Sequence, residues 1–166
     1  LSTALHDARL QALQARIRPH FLFNSINAVL SIVRADPRRA ETALEDMADL
    51  FRMAMADSQE MVPLRREIEL SHQYLALEKL RLGDRLVENW QIDAALNDAM
   101  LPRLILQPLL ENAVYHGIEP SSEGGTVDIK LQLIGKELHM DVRNPCREQC
   151  GLHKGNKMAL ENIRER

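Results

Sequence analysis

Residues 126–143 read Thr126-Val127-Asp128-Ile129-Lys130-Leu131-Gln132-Leu133-Ile134-Gly135-Lys136-Glu137-Leu138-His139-Met140-Asp141-Val142-Arg143. Val127, Ile129, Leu131 and Leu133 alternate with Asp128, Lys130 and Gln132. Gly135-Lys136 turns the chain, and Leu138, Met140 and Val142 then alternate with His139, Asp141 and Arg143. Alternation of period two on both arms predicts an antiparallel pair with one buried and one wet face. Most of the remaining periodic stretches read as helices, and helices together with an antiparallel sheet make the fold α+β.

Upstream of the hairpin, no glycine occurs before Gly83, and all seven lie in the second half. Helices tolerate little glycine, whereas turns and phosphate loops use it. The chain therefore divides into a helical half, 1–82, and a second module, 84–166. In the first half, Leu5, Leu10, Leu13, Ile17, Phe21, Asn24 and Ala28 mark one face of a long helix over 4–35. Pro19 predicts a kink near Ile17–Pro19. Asp36 as cap and Pro37 as first residue open a second helix, with Ala40, Ala43, Leu44, Met47, Leu50, Phe51 and Ala54 as its stripe. A third starts near Pro63, carries Leu64, Ile68, Leu75 and Leu82 on one face, and stops at Gly83. Broad apolar faces on paired helices suggest a bundle, completed by a second copy or confined to one chain.

In the second half, Arg85–Asp93 reads as a strand with Leu86, Trp90 and Ile92 on one side. Pro108 conflicts with a helix interior, and the conflict disappears if Gln107 caps a helix over 108–116 that Gly117 ends in left-handed backbone. Leu109, Leu110, Ala113 and Val114 then face inward. Asn112 and His116 share one face, as do Glu111 and Tyr115. Residues 144–155 read as a polar loop, and 156–166 return to helical spacing through Leu160 and Ile163.

Composition excludes several classes. The formal charge of −3 and 4% aromatic content do not suit a protein that lives on nucleic-acid phosphates. A hydrophobic share of 45% excludes disorder. No apolar run reaches the ~18–20 residues that span a bilayer. Two cysteines make no disulfide framework, and Cys146, Cys150 and His153 lack the paired spacing of a zinc site. The chain opens on Leu1 rather than Met and reads as a fragment of something longer.

Three constellations carry chemistry. His20 and Asn24 stand four apart beside Pro19. Imidazole is a competent phosphoryl nucleophile near neutral pH, and Asn24 can orient the ring. A histidine satisfied on a bundle surface is the plainer reading of the same spacing. Glu111, Asn112, His116 and Gly117 place oxygen and nitrogen ligands on one short helix, and an Asn oxygen suits Mg²⁺ that also binds phosphates. The outer face of an amphipathic helix is the alternative. Gly151 to Asn156 precede the last helix, where backbone N–H groups can cradle phosphate or simply form a surface turn.

Together these stretches resemble a known family. Gln14-Ala15-Arg16-Ile17-Arg18-Pro19-His20-Phe21-Leu22-Phe23-Asn24 is similar to the phosphoacceptor box of LytS/YehU-type sensor histidine kinases, and within that family the chain most resembles AlgZ-like sensors. Leu106 to Gly117, LQPLLENAVYHG, resembles that family's N box. Tyr74 to Arg81, YLALEKLR, and Ala159 to Arg166, ALENIRER, resemble two further segments. The resemblance implies a dimeric helical phosphoacceptor bundle followed by a Bergerat-type ATP-binding α/β sandwich, truncated at its C-terminus. His20 would take the γ-phosphoryl group of Mg·ATP and pass it to an aspartate of a LytTR-type response regulator. Asn112 would bind Mg²⁺. Glu111, Asn112, His116, Gly117, Asn144, Gly155, Asn156, Lys157, Leu160 and Asn162 would surround ATP. The family also implies attachment to the cytoplasmic side of the bacterial inner membrane through a segment absent from this chain, and no direct contact with nucleic acid.

The sequence departs from the family twice. Asn144-Pro145-Cys146 stands where DNGxG is usual, and the GxGxGL box reads Gly155-Asn156-Lys157-Met158-Ala159-Leu160. A pseudokinase that scaffolds a regulator without turning over ATP is therefore the alternative expectation. No acidic residue follows His20, where Phe21 stands, so no base is visible in the sequence.

Overall fold

Pro37 opens a helix at a position where a missing N–H costs nothing. In the computed structural model, which describes residues 3–4, 19–55 and 60–145, α1 spans Pro19–Ile32 and α2 spans Pro37–Met55. The expected kink, and residues 5–18 of the expected helix before it, lie outside the described residues. Asp36 caps α2 as expected, its Oδ1 accepting the Arg39 N–H at 3.2 Å. Ala40, Ala43, Met47, Leu50 and Ala54 are buried along α2. Leu44, expected in that stripe, is instead exposed, because it lies at the stripe's edge.

Helix α3, Leu64–Leu82, packs against α1 and α2. Gly83 ends it at φ +56°, a left-handed conformation that glycine adopts without strain. Gln73 of α3 donates to Asp46 Oδ1 at 3.2 Å and to Asp49 Oδ2 at 2.9 Å of α2. Phe21 of α1 packs on Tyr74 of α3, ring centroids 5.0 Å apart.

The second half forms two sheets. The short strands β1, Met61–Pro63, and β3, Met100–Pro102, pair antiparallel. The larger sheet has the order β2 (Leu86–Ile92), β4 (Gly125–Ile134), β5 (Glu137–Arg143). The hairpin is as predicted: β4 and β5 are antiparallel, Gly135 turns at φ +65°, and Val127, Ile129, Leu131, Leu138 and Met140 are buried. The sheet as a whole is mixed, however, because β2 runs parallel to β4. Alternation within a strand reports its faces, not the direction of its neighbour, so the sequence left this out. Burial also fades along β2: Leu86 is buried, Trp90 half-buried and Ile92 exposed.

Between β3 and β4 lies α4, Leu106–Ala113, which continues into a single wider π-type turn over Val114–Ile118. This corrects the expected boundaries. Gln107 is a buried residue of the first turn rather than the cap, and Pro108 follows it within that turn, where its missing N–H has no partner to lose. Gly117 is not left-handed. The helix closes through the Glu119 N–H on the Val114 carbonyl at 2.9 Å. Arg85 then staples the exit, its Nη2 donating to the carbonyls of Glu119 at 3.0 Å and Ser121 at 2.6 Å.

One contiguous apolar cluster joins the helices and the sheet, running from Phe21 through Leu70 and Leu110 to Met140. Polar ties across the same boundary link α3 to β2. Glu88 receives Lys79 at 3.1 Å and His72 at 3.2 Å, and the His72 ring lies 4.5 Å from that of Trp90.

Candidate functional site

Phe21 is 6% exposed and anchors α1 on α3, so the residue before it on the helix is turned outward. That residue is His20, which is exposed. His20, Phe21 and Asn24 form one wall of a small cleft. Tyr74, Glu78 and Arg81 of α3 form its floor, and Glu111, Tyr115 and Glu119 of α4 and its terminal turn form the opposite wall. Spacing explains the arrangement: Tyr74, Glu78 and Arg81 lie one turn apart on α3, and Glu111, Tyr115 and Glu119 follow at steps of four.

The position of α4 is set by Glu67. This α3 residue is wholly buried, and its Oε1 accepts the backbone N–H of Leu104 just before α4, with the N–H groups of Ile105 and Leu106 close enough to favour its charged form. Leu104 takes up φ +55°, an uncommon conformation for a side-chain-bearing residue, and its N–H donates to Glu67 Oε1. Burial pushes the Glu67 carboxyl up to about 7, against the pull of those N–H groups. A carboxylate at a helix N-terminus is favoured by the unpaired N–H groups and the helix dipole.

Charges in the cleft are mutually arranged. Arg81 Nη1 donates to Glu119 at 2.8 Å and Nη2 to Glu78 at 3.1 Å. Burial raises the Glu78 carboxyl above its ordinary range, Arg81 offsets part of this, and the charges of Glu119 and Glu111 add to it. Glu111 is 6% exposed and accepts from Gln107 Nε2 at 3.2 Å.

The predicted site residues thus fall into three places. His20, Asn24 and Glu111 share the cleft. Asn112 and His116 are exposed on α4 and its terminal turn, outside the cleft lining. Gly117 meets Asn144: a Cβ on Gly117 would lie 2.3 Å from Asn144 Nδ2. Gly155, Asn156, Lys157, Leu160 and Asn162 lie outside the described residues, as do Cys146, Cys150 and His153. Sequence reasoning missed the acidic and basic groups around His20. Glu78 and Arg81 stand in the quoted YLALEKLR segment, but nothing in one sequence pairs that segment with position 20. A wider, open groove on the solvent face of the sheet, lined by Asn89, Lys130, Asp141 and Arg143 among others, contains none of the motif residues.

A family model described as histidine kinase matches residues 8–86. The chain is 33% identical to the sensor histidine kinase YpdA of Escherichia coli strain K12, over 97% of this chain and 30% of that protein. It is 32% identical to the sensor protein LytS of Staphylococcus haemolyticus, over 86% of this chain and 25% of that protein. The sensor histidine kinase BtsS of Escherichia coli strain K12 is 32% identical over 98% of this chain and 30% of its own length.

The chain belongs to the sensor histidine kinase family.

It spans about a third or less of the length of these curated relatives. The family match covers α1, α2 and α3, and so the His20, Glu78 and Arg81 sides of this kinase-family cleft; Glu111 and Glu119 lie beyond it. No helix among the described residues is long and apolar enough to cross a membrane.

Proposed function

We propose that this chain is the transmitter core of a two-component sensor kinase that phosphorylates itself on His20 from Mg·ATP. The observation that carries the reading is the cleft in which His20 and Asn24 face Glu111 of the N-box helix within one chain. A phosphoryl acceptor and the nucleotide-binding helix must come together for transfer, and proximity supplies much of the catalysis in reactions of this kind.

The residues present suit the nucleotide. Asn112 is exposed one position from Glu111, and its side-chain oxygen would ligate Mg²⁺. No group of three His, Cys, Asp or Glu among the described residues could hold a metal, so the phosphates and water would complete its shell. Mg²⁺ would neutralise phosphate charge there. Gly117 admits Asn144 where a Cβ would collide, and this brings two of the proposed ATP-binding residues together. Glu111, His116, Gly155, Asn156, Lys157, Leu160 and Asn162 would complete the site of a Bergerat-type module over 84–166, with the phosphoacceptor module over 1–82. Asn24 orients the His20 ring, which then gives the phosphoryl group to an aspartate of a response regulator, of LytTR type by family resemblance.

A homodimer is supported by α1. Phe23, Ile26 and Leu30 are 63%, 40% and 64% exposed at steps of three and four, and Val33, 41% exposed, follows just past the end of the helix. Such a stripe suits a helix seam between two copies.

Calorimetry of Mg·ATP binding tests the reading. Wild type binds and Asn112→Ala loses most of the affinity. A wild type that does not bind Mg·ATP refutes the kinase reading and returns the regulator-binding scaffold.

A further inference from the structure

Phosphoryl transfer to His20 would place a dianionic group in a cleft that three carboxylates already line: Glu78, Glu111 and Glu119. Among the described residues lining that cleft, Arg81 is the one permanent cation. Its guanidinium is held from two sides, by Glu119 through Nη1 and by Glu78 through Nη2, while its Nε is buried without a hydrogen-bond partner. An orphaned buried N–H on an arginine costs free energy and calls for an explanation; Arg85 and Arg103 share this feature, but among the three only Arg81 lines the cleft beside His20. A guanidinium also offers a planar pair of N–H groups that matches two oxygens of a phosphoryl group.

We infer that Arg81 is a phosphoryl-binding residue of the transfer site, contacting the group as it reaches His20. The inference rests on the kinase reading above. In the step, the lone pair of an imidazole nitrogen forms the new bond to the γ-phosphorus. The bond from that phosphorus to the bridging oxygen breaks, and the oxygen departs with its electron pair on ADP. The other ring nitrogen releases its proton to water, so His20 ends as a neutral ring bearing a dianionic phosphoryl group. Arg81 offsets the charge that arrives, and Glu78 and Glu119 hold the guanidinium in place beforehand. A preorganised cation of this kind is worth most where charge develops. Glu78 and Glu119 act only through Arg81 and are positioning residues.

The test uses the intact protein with labelled ATP and compares Arg81→Gln, Arg81→Ala and Glu119→Gln with wild type. Removing one charge-stabilising donor from a transfer site lowers the rate by on the order of 10²-fold. Arg81→Gln should therefore label His20 at about that deficit while binding Mg·ATP as wild type does. Glu119→Gln, which leaves the cation and its contact with Glu78, should stay within about fivefold of wild type. Millimolar guanidinium, too dilute to unfold the protein, should restore labelling in Arg81→Ala, which a purely structural role would not allow. Labelling of Arg81→Gln within twofold of wild type overturns the inference. So does loss of Mg·ATP binding in Arg81→Gln, or a guanidinium-insensitive Arg81→Ala. If wild type itself takes no label, the kinase reading fails and this inference falls with it. If wild type and Arg81→Gln label alike, only the role of Arg81 fails.

Discussion

The ring of Phe21 lies 5.0 Å from the ring of Tyr74 and is tilted 50° to it. This contact fixes α1 on α3 and sets His20, one residue earlier, at the mouth of the cleft. Aromatic pairs of this geometry add about 0.5–1.5 kcal/mol beyond burial. Phe21→Leu keeps an apolar anchor but loses the pair and some volume, so it should destabilise the chain by about 1–2 kcal/mol in urea unfolding. Labelling of His20 should fall with it, because the anchor sets the ring's position. Unchanged stability would show that Phe21 does not hold α1 in place.

Glu67 should make stability depend on pH in a narrow window. Its carboxyl titrates at about 7 in the fold against an ordinary 4.5. Between those values the folded chain keeps a proton that the unfolded chain has lost. Stability therefore falls as pH rises from about 4.5 to about 7, and this contribution is level on either side. The span is on the order of 3 kcal/mol at most. Glu67→Gln retains an acceptor for the Leu104 N–H and removes the titration, so its stability should show a flatter profile across that window. Parallel profiles for wild type and Glu67→Gln in urea unfolding at a series of pH values would contradict the assignment.

Two glycines of similar backbone conformation should differ sharply. Gly124 has φ +72°, and a Cβ there would lie 2.0 Å from the Arg85 carbonyl oxygen. Gly135 has φ +65° with open space around it. Gly135→Ala should cost about 1 kcal/mol, the strain of a left-handed residue. Gly124→Ala adds a collision with main chain beside the β2–β4 ladder and should cost well over ~2 kcal/mol. Equal melting temperatures for the two variants would remove the packing argument.

Local chemistry explains what could be read from the sequence. The cap at Asp36, the stop at Gly83 and the hairpin around Gly135 each depend on residues within a few positions of one another, and each appears where its residues predict. The π-type turn after α4 was not legible, because its closure depends on how Val114 and Ile118 pack and on Arg85 from a distant strand end. The parallel pairing of β2 with β4 was not legible for the same reason. Neither was the charged lining of the cleft: His20, Arg81 and Glu119 come from three elements, and one chain without its partners in space does not pair them. No acidic residue follows His20 in sequence, but three carboxylates, Glu78, Glu111 and Glu119, line the cleft it borders.

The central claim is that His20 is the acceptor, and its most direct measurement is the chemistry of the label. Incubated with Mg²⁺ and ATP labelled in the γ-phosphoryl group, the intact protein should acquire phosphate that is lost in acid and retained in base. His20→Gln should bind Mg·ATP as wild type does and acquire none. Acid-stable label on wild type, or acid-labile label that persists in His20→Gln, would contradict the account.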